Sequence, residues 1–313
     1  MIEIESFQQA LPHDITLSCR AAGKRGRPVL MFLHGFPEAA FVWDTLLKHF
    51  AQPENGGYRC IAPNLRGFEN SSSPTEVSAY RVKFLMQDIA ALVAIETADS
   101  GGQLECLVAH DWGGAVAWGF ANQMPHLTKK LTIINSPHTG TFIRELISNP
   151  KQQAASEYMN FLVRPGFEKA LAKDDFKLLF GFFTNAGAET GEFAWLTPAL
   201  KQQYRDVWGA GLTGGCNYYR ASPLRPPTET DRGAAGTDIP HDMLTVDIPT
   251  LVIWAMNDVA LLPELIEGLD DYIPNLTLKK VANATHWVIH EQPQLVAGYL
   301  QDFINASGGQ LCY

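Results

Sequence analysis

In the run LECLVAHDWGGAVAWGFA an apolar strand reaches Asp111, and a helix begins at once with Gly113 and Gly114. Small residues around a polar centre at a strand-to-helix junction define a sharp turn that lifts the central side chain above the sheet edge. The centre here is a carboxylate. It is ionised at pH 7 and can attack a saturated carbon without help from a base, leaving an ester on Asp111. Cleaving that ester then requires a base, an acid to orient the base, and donors for an oxyanion. Read alone, an Asp before Gly-Gly is equally a helix cap.

Later segments supply the other groups. His286, in NATHWVIHEQP, follows an expected last strand and precedes a closing helix, where a catalytic base would stand. His290, four positions on beside Pro293, reads as a surface or capping residue. Asp258 lies just past the strand LVIWA and is the expected acid, its other reading being a turn residue in Asn257-Asp258. The alternative acid position, after KLTIINS, holds Asn135 and no carboxylate. For the oxyanion, the backbone N–H of Trp112, directly after Asp111, pairs with that of Phe36 in HGFPE. In that loop Gly35 allows close backbone approach, and Pro37 fixes the turn, with a cis peptide bond expected. His34 reads as a hydrogen-bonding support of the loop, and Glu38 as an acid at a helix N-terminus.

Elements must hold these groups together. Short apolar runs alternate with amphipathic helical patterns, as in a sheet covered on both faces by helices. The expected strands are ITLSCRA, PVLMFLH, YRCIAPN, LECLVAHD and KLTIINS, then IPTLVIWAMND and LTLKKVA. Helical patterns occupy AAFVWDTLLKHF, YRVKFLMQDIAALVAIE, a stretch after Pro263, and PQLVAGYLQDFIN. From 138 to 240 the chain is helical, rich in Phe and free of convincing strands, and it ends in a Pro- and Gly-rich return loop. The expected organisation is therefore a core of 1–137 and 241–313, split by a helical cap of 138–240. The tail ASGGQLCY reads as loose.

Composition sets the class. With 313 residues and 46% hydrophobic content, the chain can bury one large core. Its formal charge of -9 comes from dispersed acids, which disfavours nucleic-acid and anionic-membrane partners. The N-terminal stretch lacks a secretory pattern, and no apolar run approaches the ~20 residues of a membrane-spanning helix, so a cytoplasmic location is expected. The five cysteines are widely spaced and form no CxxC pair, and Cys60 and Cys106 fall in buried strands as small core residues. No metal or organic cofactor is expected.

HGFPE, NLRGFENSSSP, AHDWGG, the late Asp258 and THW resemble the epoxide hydrolases of the α/β-hydrolase fold, and the resemblance runs through nearly the whole chain. It implies a mostly parallel central sheet with helices on both faces and an inserted helical cap. The core motifs are shared with haloalkane and haloacetate dehalogenases, so the cap must discriminate. In epoxide hydrolases two cap tyrosines donate to the epoxide oxygen, one early and one in an Asn-aromatic-Tyr-Arg motif. The matching residues are Tyr158, in ASEYMNFLVRPG, and Tyr219, in NYYRASP, with Tyr218 at the other aromatic position. An opening epoxide leaves an alkoxide unless a donor stabilises it, and phenols do so while remaining neutral at pH 7.

The implied partners are a small apolar epoxide and water. The implied reaction is alkylation of Asp111, followed by attack on the ester of a water activated by His286, which Asp258 orients. Met159, Phe161 and Phe182 are candidates for an apolar lining. A dehalogenase remains the alternative, with Trp112 and a cap tryptophan, Trp195 or Trp208, as halide donors. Trp112 stands where defluorinating enzymes carry Arg. A non-catalytic ligand-binding protein of this fold is the remaining alternative. One departure from the family pattern is Glu69, which replaces the second glycine of an Arg-Gly-Tyr-Gly type loop and could alter the pocket entrance.

Overall fold

The computed structural model describes residues 2–306, so the final residues of the tail, Cys312 among them, lie outside the described part. Apolar runs long enough for a buried strand pair into one sheet: β1 (Glu5–Ala10), β2 (Thr16–Ala22), β3 (Val29–Leu33), β4 (Arg59–Pro63), β5 (Cys106–His110), β6 (Leu131–Ile134), β7 (Thr250–Ala255) and β8 (Leu276–Val281). Their spatial order is β1-β2-β4-β3-β5-β6-β7-β8. Strand β2 runs antiparallel to both neighbours, and from β4 to β8 every pairing is parallel. β3 to β7 are buried along their whole length, because helices cover both faces of a parallel sheet.

The connections supply those helices. α1 (Asp44–Phe50) follows a short 3-10 turn at Ala40–Trp43, α2 is Val82–Glu96, and α3 (Asp111–Gln123) springs directly from β5. Between β6 and β7 the described chain contains no strand. It runs through α4 (Thr139–Ser148), α5 (Pro150–Ala155), α6 (Tyr158–Leu162), α7 (Phe167–Leu171), α8 (Lys173–Thr184), α9 (Pro198–Gly209) and α10 (Thr213–Ala221). After β8 come the single turn α11 (Val288–Glu291) and the closing helix α12 (Pro293–Asn305).

Two local expectations differ from the structure. β1 carries ESFQQA, whose mostly polar, exposed alternation gave no apolar signal, yet it pairs along the outer edge of β2. The helix expected after Pro263 is only a 3-10 turn, Pro263–Ile266, followed by another at Leu269–Asp271, because Gly268 takes a left-handed φ of 73° between them. The four described cysteines are buried and unpaired. Among the described residues, no helix is long and apolar enough to cross a membrane.

Candidate active site

The sheet brings the chemistry to one edge. Phe36 follows β3, Asp111 follows β5, Asn135 follows β6, Asp258 follows β7 and His286 follows β8. All five stand past the carboxyl ends of parallel strands, where open α/β sheets bind ligands.

The turn at Asp111 is strained, with φ at 49°, a region that L-residues occupy at a cost. Its neighbours are small because there is no room for anything larger. A Cβ on Gly113 would lie 2.5 Å from the Leu33 carbonyl oxygen, and one on Gly114 would lie 2.3 Å from the Ser136 side chain. Gly35 faces the carboxylate itself, at 2.2 Å from a hypothetical Cβ. Ser136 Oγ donates to the Asp111 carbonyl at 2.7 Å and braces the turn from behind.

The carboxylate oxygens of Asp111 have different surroundings. Oδ1 accepts from the backbone N–H of Phe36 at 2.7 Å. Oδ2 lies 3.8 Å from His286 Nε2. The N–H of Trp112 belongs to the first turn of α3, whose donors have no acceptor within the helix. The Phe36–Pro37 peptide bond is cis, as expected.

Behind His286 stands Asp258. Its Oδ2 accepts from His286 Nδ1 at 2.7 Å and from Asn135 Nδ2 at 2.8 Å, while Oδ1 takes the N–H groups of Ala260 and Leu261, both at 2.9 Å. Asn135 is thus more than an empty acid position: it helps hold the acid, and its own Oδ1 accepts from the Ala255 N–H at 3.0 Å. Burial works against charge on Asp258, but the His286 ring and these donors keep its carboxyl below the ordinary range. Burial likewise disfavours the charged imidazole of His286, yet Asp258 and then Asp111 outweigh it and raise its pKa to about 9.

The unfolded pKa of His286 is about 6.5. The stability that His286 contributes is therefore complete below about pH 6.5 and is lost as pH rises through about 9. In Asp111→Asn one source of the elevation is gone, so the ring should titrate lower by NMR and the alkaline loss of melting temperature should begin earlier. An unchanged titration would mean that Asp111 does not share the field of His286.

The sequence reading of the HGFPE loop holds for His34 and fails for Glu38. The Leu65 N–H donates to His34 Nε2 at 3.0 Å, and Nδ1 donates to the Gly35 carbonyl at 2.9 Å. Burial lowers the His34 pKa to about 4, so it stays neutral in this role. Glu38 caps no helix. Fully buried, its Oε1 meets His290 Nε2 at 2.6 Å and accepts the Tyr204 hydroxyl at 2.8 Å, and Oε2 lies 3.4 Å from His110 Nδ1. Burial alone would raise its pKa, but His290 and His110 hold it well below the usual carboxylate range. His290 is therefore no surface residue: its side chain is 9% exposed, and its ring stacks on Trp195 at 4.1 Å. His110 links this buried set to the site, since its Nε2 donates to the His286 carbonyl at 2.9 Å.

Tyr158 and Tyr219 face Asp111. Their rings lie 6.2 Å apart, and the Tyr219 ring sits edge-on between Phe36 at 5.3 Å and Trp112 at 5.0 Å. Burial, reinforced by nearby negative charge, pushes both phenols above their ordinary pKa, so they are neutral donors. Two apolar chambers share Asp111 and these phenols. The larger, about 720 Å³ with open solvent at its mouth included, includes Ala155, Phe182, Val259 and Trp287, and the smaller, about 510 Å³ on the same count, includes Phe142, Met159, Leu224 and Leu261. Of the expected apolar lining, Met159 and Phe182 are present. Phe161 is not: it is 38% exposed and packs against Phe167 and Arg164. Neither Trp195 nor Trp208 borders these chambers. The Trp208 Nε1–H is committed to the Pro37 carbonyl at 2.6 Å.

Glu69 has a φ of 46°, the conformation that a glycine adopts without strain, and its carboxylate turns back to accept from Asn64 Nδ2. The backbone path of the loop is thus compatible with glycine while the carboxylate is satisfied locally. Glu69 borders a small separate cavity beyond Phe36, and neither chamber at Asp111 includes it.

A strained acidic turn between a parallel strand and a helix, with an acid-braced histidine at the end of the last strand, is the arrangement of an α/β hydrolase. Residues 28–293 match the family model described as the alpha/beta hydrolase fold, and the chain belongs to that family. Within it the chain is an epoxide hydrolase-like enzyme. It is 32% identical to human epoxide hydrolase 4 over 91% of this chain and 74% of that protein. It is 31% identical to the AB hydrolase superfamily protein YfhM of Bacillus subtilis, over 93% of this chain and 95% of that one. Among solved structures, an epoxide hydrolase from metagenomes of hot environments superposes with a TM-score of 0.83 at 35% identity, covering 97% of this chain and 99% of that one. The Bacillus megaterium epoxide hydrolase, solved with an inhibitor, gives 0.82 at 28% identity, covering 96% and 100%.

Proposed function

We propose that the protein hydrolyses apolar epoxides to vicinal diols through a covalent ester on Asp111, and that the helical segment 138–240 is the cap that closes over this site. The observation that carries this reading is the placement of two neutral phenols, Tyr158 and Tyr219, on the same chambers as the Asp111 carboxylate. Asp111 Oδ2 attacks one oxirane carbon, the C–O bond breaks, and the leaving oxygen takes a hydrogen bond and then a proton from the phenols. Oδ1 remains beside the Phe36 N–H and becomes the ester carbonyl oxygen. Alkylation removes the negative charge of Asp111, one of the groups that hold the proton on His286, and so turns that ring toward its basic form. His286, oriented by Asp258, then takes a proton from water, which attacks the ester carbon. The N–H groups of Phe36 and Trp112 stabilise the developing oxyanion. Breaking the bond from the ester carbon to Oδ2 releases the diol as that oxygen takes the proton from His286, and the proton left on the new carboxyl group returns to the phenolate, restoring the carboxylate and the neutral phenols.

Two chambers of unequal size that share Asp111 favour an oxirane bearing apolar groups, one larger and one smaller. The carbon–halogen reading is weaker, because Trp208 is bonded to Pro37 and Trp195 stands outside the chambers, which leaves Trp112 without a cap tryptophan as halide partner, and the indole N–H of Trp287 is spent on the Phe182 carbonyl.

Oxygen labelling tests the proposal. In a single turnover of an aryl oxirane in ¹⁸O-water, the diol should leave unlabelled and the peptide containing Asp111 should gain the label. Label appearing directly in that first diol, or halide release from organohalides without any diol from oxiranes, would overturn it.

A further inference from the structure

Helix α10 presents Tyr218 and Tyr219 in succession, about 100° apart around its axis. A rotation that misaims one therefore misaims the other. Tyr219 faces the reacting carboxylate, whereas Tyr218 turns into the core and is 1% exposed. Its ring lies against Phe68 at 5.3 Å, Trp112 at 5.5 Å and Tyr80 at 5.7 Å.

The hydroxyl of Tyr218 has one specific partner, the Arg66 carbonyl, to which it donates at 2.9 Å. Arg66 is itself immobilised. Its Nε and Nη2 grip Asp88 of α2 at 2.8 and 2.6 Å, and Nη1 donates to the Ala79 carbonyl at 2.9 Å. One residue on, Gly67 takes a φ of 87° and meets Gly214 of α10 backbone to backbone, so closely that a Cβ on Gly214 would lie 2.2 Å from the Gly67 oxygen. α10 thus approaches the core loop at van der Waals distance, and the Tyr218 hydroxyl ties it to the carbonyl of a residue whose side chain is held by Asp88 and Ala79.

We infer that Tyr218 is a positioning residue for epoxide opening: its hydrogen bond to the Arg66 carbonyl sets the rotation of α10 that aims the Tyr219 phenol at the oxirane oxygen. The inference rests on the ring-opening role proposed for Tyr219. It assigns Tyr218 no contact with substrate. The effect of Tyr218 falls on one half-reaction, because Tyr219 acts when the alkoxide forms and not when water attacks the ester.

Tyr218→Phe keeps the ring and deletes only the hydroxyl. With a styrene-type oxirane in stopped flow, it should slow alkylation about tenfold, since small misplacements of a reacting group are costly. Hydrolysis of the ester, once formed, should stay within twofold of the wild-type rate and reports that the protein is folded. In a Tyr219→Phe background, Tyr218→Phe should add nothing further, whereas a merely structural loss would slow both steps and would persist in that background. Alkylation within twofold of wild type in Tyr218→Phe, while Tyr219→Phe is clearly slower, overturns the inference alone. Unimpaired alkylation in Tyr219→Phe removes the role of Tyr219 and the inference with it.

Discussion

His286→Gln should stop after the first half-reaction. Mixed with an apolar oxirane, the variant should gain the mass of one substrate molecule on Asp111 and then release diol 10²- to 10⁴-fold more slowly than wild type, the usual contribution of a general base. The asymmetry follows from where His286 stands. Its Nε2 lies 3.8 Å from Asp111 Oδ2, and in the proposed mechanism it serves the water that attacks the ester and not the opening oxirane. The glutamine amide can still reach Asp258, which also keeps the donors Asn135, Ala260 and Leu261, so the acid is not stranded without partners. Intact-mass spectrometry after quenching reads the ester, and a thermal melt establishes that the fold persists. Loss of turnover without any gain in mass by a folded variant would mean that no ester lies on the path.

How much of this site was legible in the sequence depended on how local each interaction is. Asp111, Asp258 and His286 each follow the carboxyl end of a strand, so the strand pattern alone orders them along one sheet edge. The structure does bring them together, with Phe36 from the loop after β3. Glu38 was opaque for the opposite reason. Its partners Tyr204 and His290 are 166 and 252 positions away, and a buried carboxylate balanced by two histidines has no local signature. Beside Pro293, His290 looks like a cap until Trp195 is stacked on it. Asn135 is similar: a non-carboxylate after β6 reads as an absent acid, and its support of Asp258 appears only when β6 and β7 are neighbours. The edge strand β1 was missed because its residues need not be apolar when one side faces solvent. Phe161 turns outward, and a helical stretch rich in Phe carries no marker of which ring turns inward.

The phenols bear the largest share of the specificity argument, and replacing both has the largest expected effect on the first step. Removing one preorganised donor from a buried oxyanion site typically costs 10²- to 10³-fold. Here each phenol can partly cover for the other, because the two rings adjoin at 6.2 Å over the same carboxylate. Tyr158→Phe and Tyr219→Phe should therefore each slow alkylation by about 10- to 100-fold, and the double variant should abolish it, because the departing oxygen would become an unstabilised alkoxide. Tyr219→Phe should be the costlier single change. Its ring is wedged edge-on between Phe36 and Trp112, so its hydroxyl direction is fixed, whereas Tyr158 opens the short helix α6 and has Phe182 beside it at 5.9 Å. Phenylalanine preserves the apolar lining, so substrate should still bind, and inhibition by the diol product should survive in all three variants. Rapid-quench measurement of the ester separates alkylation from hydrolysis. A double variant that alkylates within tenfold of wild type would remove the epoxide from the proposal, because the two phenols are what favours it, and Asp111 would then be acting on a leaving group that needs neither.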